Sequence, residues 1–170
     1  MFEALLILAA TAAAQTADPL AEARAGKVQC MNPNREAKTC MGIATYTVRT
    51  DGTYDSATTM MIIPAPLVTM EINISGKVEG GKVCNLVRTA DFESAKLSMN
   101  GGAVNAAMEQ AIRAQIGASL APMDGKTACA TEKADGDVMV AEAALDGVAR
   151  PDLNQRYIWV KADEGYKIGQ

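Results

Sequence analysis

The chain contains no histidine. That absence removes a Ser-His-Asp triad, a Cys-His dyad, a histidine-ligated zinc and a histidine pH switch in one step. No C-x-x-C spacing occurs among the cysteines, so a thioredoxin-like redox centre is not expected. Gly76, Gly80 and Gly81 are followed neither by a GK[ST] signature nor by a helix, which excludes a phosphate-cradling loop. Sixteen basic residues against 20 acidic ones give a net charge of −4, leaving no electrostatic basis for nucleic acid as a partner. Nowhere does an apolar run reach the 18 or more residues of a spanning helix, so no stable membrane insertion of the mature chain is expected.

One shorter apolar run is present. Leu5 to Ala14 (LLILAATAAA) has the length of a signal-peptide h-region, and Ala12 with Ala14 supplies the small residues of an A-x-A cleavage site. Glu3 stands where such leaders usually carry a basic residue, and a buried first helix is the competing account. The expectation is a signal peptide over residues 1–14, a single domain over 15–170, and a periplasmic or secreted location.

Four cysteines admit three complete pairings. Their order favours Cys30 with Cys40 across the Asn32-Pro33-Asn34 turn, and Cys84 with Cys129. The rival is a soft copper(I) site built from Cys30-Met31 and Cys40-Met41 with Met60, Met61 and Met70. Adjacent residues of a strand point to opposite faces, so Cys and Met of one pair would not converge on an ion. Two disulfides and no cofactor are therefore expected.

Period-two patterning dominates. Ala44, Tyr46 and Val48 share one face of a strand before Asp51-Gly52, a hairpin signal, and Thr53 to Ile63 returns antiparallel until Pro64-Ala65-Pro66. Val68, Met70, Ile72 and Ile74 alternate with Thr69, Glu71, Asn73 and Ser75, the pattern of a sheet with one buried face. Further strands fit Lys27 to Met31, Lys82 to Arg88, Lys126 to Lys133, Val138 to Leu145 and Arg156 to Lys161, with a last hairpin through Asp163-Glu164-Gly165 into Tyr166 to Ile168. Asp18-Pro19 opens a short surface helix at Leu20 to Ala25.

Between the strand groups the period changes. Val104, Met108, Ile112, Ile116 and Leu120 recur every four residues, predicting an amphipathic helix over about 101–119, capped by Asn100 or the glycines after it. Ala103, Ala107, Ala111 and Ala114 suit close packing of that helix against a sheet. The fold class is thus α+β: an antiparallel sheet of about six to eight strands with this one main helix packed on its apolar face.

Candidate chemistry is sparse. Asp135 and Asp137 flank Gly136 but lack the remaining ligands of a calcium loop. Glu71, Glu142 and Asp146 could supply paired carboxylates, although nothing in the sequence brings any two together. Ser94 and Lys96 form S-x-K, which is not the S-x-x-K of a serine-lysine acylase. Tyr157 and Trp159 lie on one face of a strand whose other face carries Ile158 and Val160. Core packing is the favoured account of the pair; a ligand groove, if the fold has one, is expected at Tyr157 and Trp159. The functional expectation is an exported noncatalytic domain binding a small apolar ligand or an envelope protein partner. The alternative is a carboxylate-dependent periplasmic hydrolase.

Overall fold

The computed structural model describes residues 18–170, so the leader expected over residues 1–14 lies outside the described residues. Helix α1 (Ala21–Arg24) leads into β1 (Lys27–Met31), β2 (Thr39–Cys40), β3 (Gly42–Val48), β4 (Thr53–Ile63), β5 (Val68–Glu79) and β6 (Lys82–Leu86). An excursion follows through α2 (Thr89–Glu93), β7 (Lys96–Met99), β8 (Gly102–Ala103) and α3 (Ala106–Leu120). The chain then continues into β9 (Thr127–Asp135), β10 (Val138–Leu145), β11 (Val148–Ala149), β12 (Gln155–Lys161) and β13 (Lys167–Ile168).

Strands β1, β3, β4, β5, β6, β9, β10 and β12 pair antiparallel in that order, and β12 returns to pair with β1. The expected antiparallel sheet is therefore closed on itself as an eight-stranded barrel. Its strands follow one another around the wall as they do along the chain, the up-and-down arrangement, and closure satisfies backbone groups that an open sheet would leave bare.

Register determines what points inward. Ala44, Tyr46 and Val48 of β3 lie opposite Thr58, Ser56 and Tyr54 of β4, and Thr58 and Ser56 lie opposite Ile72 and Ile74 of β5. On the far wall Ala128, Ala130 and Glu132 of β9 face Leu145, Ala143 and Ala141 of β10. Because side chains alternate, each of these sets shares the inner surface. Gly76 sits opposite Tyr54, where a Cβ would collide with the Tyr54 hydroxyl and the Cys84 carbonyl. The bare glycine lets the ring lie over β5 and donate to the Cys84 carbonyl at 3.2 Å.

Each end of the barrel has its own cover. The first helix is not the surface turn the sequence led us to expect: Leu20 and Ala23 of this segment are buried against Tyr54, with Tyr46, Val48, Val78, Val83 and Trp159 around them. Asp18 fixes it, accepting from the Leu20 amide at 3.0 Å and from Arg24 at 2.8 Å, and Arg24 reaches the carbonyls of Val48 and Arg49. The apolar character of Leu20 outweighs the shortness of the helix.

At the other end β5 forks, its second half pairing with β6 and its first half with β7. Helix α3 lies on the apolar face of this extension, where Ile112 packs with Val68, Met70, Ile72, Ala95 and Leu97. It begins at Ala106, later than predicted. Asn100 and Gly101, with φ of 49° and 81°, form the tight turn of the β7–β8 hairpin. The cap is Asn105, whose side chain accepts from the Met108 amide at 2.9 Å. Ala103 belongs to β8 and not to the helix, and Ala107, Ala111 and Ala114 are exposed rather than packed closely against the sheet.

Outside the barrel, residues 166–168 do not return as a hairpin on β12. Strand β13 pairs parallel with β2, and Tyr166 packs over Cys30, Cys40, Ile158 and Val160. That cluster gains a cover which a hairpin would not have supplied. Beneath it Cys30 is joined to Cys40, while Cys84 and Cys129, directly opposed on β6 and β9, form the second disulfide. No cysteine is left as a thiolate for copper.

Candidate functional site inside the barrel

Tyrosines and isoleucine line one side of the barrel interior, with alanines across from them, and the difference in side-chain length leaves space. The cavity measures about 290 Å³. Tyr46, Tyr54 and Ile74 border it on one side and Ala130, Ala141 and Ala143 on the other. An open depression of about 680 Å³ between α1 and the β9–β10 turn approaches from outside, reaching Met139 and Trp159. Glu132 borders both spaces.

Glu132 is held by a single described side chain, since the Tyr157 hydroxyl donates to its Oε2. Its other oxygen, Oε1, takes no hydrogen bond from the described residues and is open to solvent. Among the described residues no lysine or arginine forms an ion pair with it. Burial raises its carboxyl above the ordinary range, and the hydrogen bond from Tyr157 offsets part of that rise.

The rings around it form a chain. Tyr54 meets Tyr46 at 5.7 Å between centroids, Tyr46 meets Trp159 at 5.9 Å, and Trp159 meets Tyr157 at 5.7 Å, the first and last edge to face. Tyr46 donates to Gln29 Oε1 at 2.8 Å, which sets the ring's position across the interior. Burial pushes the Tyr54 phenol up to about 12. Tyr46 is raised further, by burial first and then by Tyr54 and Glu132. Tyr157 is raised by burial and then by its bond to Glu132. All three phenols therefore stay protonated at neutral pH.

Of the residues singled out from the sequence, Tyr157 and Trp159 share the inner face. Tyr157 is 1% exposed and belongs to the core, whereas Trp159 is half-buried at the edge of the outer depression. Glu71, Glu142 and Asp146 are not brought together. Glu71 lies opposite Thr59 and Lys96, Glu142 pairs with Lys133 at 2.5 Å, and Asp146 accepts from the Thr127 amide at 2.9 Å. Asp135 and Asp137 are each taken by an arginine, Arg156 at 2.8 Å and Arg35 at 2.6 Å. No group of three or more candidate metal ligands occurs among the described residues. Ser94 donates to the Asp91 carbonyl at 3.0 Å rather than meeting Lys96.

Sequence reasoning missed Glu132, Tyr46 and Gln29 as neighbours. A trace of Glu132 was present in the alternation Ala128, Ala130, Glu132, which places a carboxylate on the small-residue face of β9. Comparison with protein-family models, curated proteins and solved structures returned no match.

Proposed function

We propose that this protein is a noncatalytic binding protein of the periplasm or the extracellular space that takes one small, largely apolar ligand into its barrel. The observation carrying this is the unfilled interior, roomy because four alanines, Ala128, Ala130, Ala141 and Ala143, stand where larger side chains would close it. Concave, mostly apolar spaces with a few placed polar groups are the usual form of small-molecule sites. Two disulfides belong to an oxidising compartment, and together with the leader-like run Leu5 to Ala14 they support export. Hydrolysis by carboxylates alone uses a pair set roughly 5–9 Å apart. Among the described residues Glu132 is the single carboxylate on the inner cavity, so binding is the better account.

The test is titration with the neutral apolar dye N-phenyl-1-naphthylamine. Dye emission should rise and saturate at one site per protein. Ala141→Phe, which fills the space, should weaken binding by about tenfold or more while leaving a cooperative unfolding transition. Absence of saturable binding, or equal binding by a well-folded Ala141→Phe variant, would overturn the proposal.

A further inference from the structure

Glu132 is chemically out of place in a purely apolar site. Glu132 is half-buried, and a carboxylate drawn partly out of water is stabilised when a cation or further donors come to it. Here one tyrosine hydroxyl serves Oε2, Oε1 is unclaimed by the described residues, and none of their cationic side chains pairs with it. The neighbouring Lys27 and Arg35, which line the outer depression, are engaged elsewhere, with Glu22 and Asp137. What surrounds the carboxylate is aromatic. Tyr157 bonds to it, and Tyr46 and Trp159, 5.9 Å apart between ring centroids, border the two spaces that meet at it.

We infer that the ligand is a primary or secondary amine, bound as its ammonium ion by Glu132 Oε1 with the faces of Tyr46 and Trp159 beside it, its apolar body lying along the alanine wall. This deepens the binding function proposed above and rests on it. An ammonium group brings the positive charge that the site lacks and donates its N–H groups to the free carboxylate oxygen. Aromatic faces add an attraction that strengthens when water is excluded. The same arrangement repels an acid: a fatty carboxylate entering this cavity would place two negative charges together without a cation between them. An alcohol of equal length would fill the same apolar space without the charge pair.

The probes are hexylamine, hexan-1-ol and hexanoate at pH 7, each titrated directly by the emission of Trp159 and in competition with N-phenyl-1-naphthylamine. Hexylamine should bind about tenfold or more tightly than hexan-1-ol, and hexanoate should bind most weakly. Glu132→Gln keeps an acceptor for the Tyr157 hydroxyl and should erase the preference for the amine, leaving hexan-1-ol within about twofold of its affinity for the unaltered protein. Equal or tighter binding of the alcohol to the unaltered protein would overturn the amine inference. So would an amine preference that survives in Glu132→Gln. In both cases saturable dye binding would persist and the cavity would remain a binding site. Loss of dye binding itself is the separate result that removes the site, and the amine inference with it.

Discussion

Among the described residues the Tyr157 hydroxyl is the side chain that donates to half-buried Glu132. Tyr157→Phe keeps the buried ring and removes that donor, so it should lower stability by about 1–3 kcal/mol in urea unfolding at pH 7. The carboxyl also leaves a signature in pH. Its folded-state pKa lies above the unfolded value of about 4.3, so within that window the folded protein binds more protons than the unfolded chain. Glu132's favourable contribution is therefore full below the unfolded pKa and is lost as pH rises through the raised one. The exposed carboxyls of Asp51, Asp55, Asp124 and Asp152 are shifted the other way and favour the folded state as pH rises, so the whole-protein curve mixes both signs. The difference between Glu132→Gln and the unaltered protein isolates the buried group. Tyr46 and Tyr157, which face it, do not ionise in this range. The variant should gain relative stability with rising pH from about 4 to neutrality, and a flat difference across that range would contradict the assignment.

Among the elements, α3 is the clearest case of pattern becoming packing. Ile112 lies at the centre of the four-residue apolar series and is 6% exposed, so Ile112→Ala should cost about 2–5 kcal/mol. Exposed Gln110, two residues away, should change stability by less than about 0.5 kcal/mol when replaced by alanine. Asn105→Ala should remove about 1 kcal/mol through the lost cap, measured by the same unfolding curves. The apolar period was legible in the sequence because it repeats every four residues, whereas the cap, expected at Asn100 or the glycines after it, lies at Asn105. The helix start was harder to place, since Asn100-Gly101 resembles a helix start and only the β7–β8 pairing assigns it to a turn. Strands with clean alternation, such as Val68 to Ile74, were equally plain. Closure of the sheet was not, because the contact of residues 27–31 with 157–161 leaves no mark in either segment alone. The site suffered for the same reason: Glu132 and Tyr157 come from β9 and β12, and Gln29 and Tyr46 from β1 and β3, so no window of sequence contains them together.

For the molecule as a whole, the two disulfides act on loops of different length. Cys84–Cys129 spans 45 residues and Cys30–Cys40 spans 10. Loop-closure entropy assigns them about 4 and about 3 kcal/mol. Replacing each pair by serines should follow that order in denaturant midpoints at equal m-value, and the reverse order would mean that packing around Cys30 and Cys40 matters more than chain entropy. A further consequence concerns time, and it follows from the pairing of β12 with β1. A ribosome delivers β1 about 130 residues before the strand that must lie beside it. Until β12 arrives, the seven earlier wall strands can form at most an unfinished sheet, with β1 and β10 as its bare margins and each able to recruit the margin of another copy. A chain stopped at Asn154 should therefore collect in aggregates rather than persist as a smaller soluble fold. Barrel closure has to wait until synthesis has passed residue 161, so the first strand of the ring stays without its second neighbour through the making of the other seven.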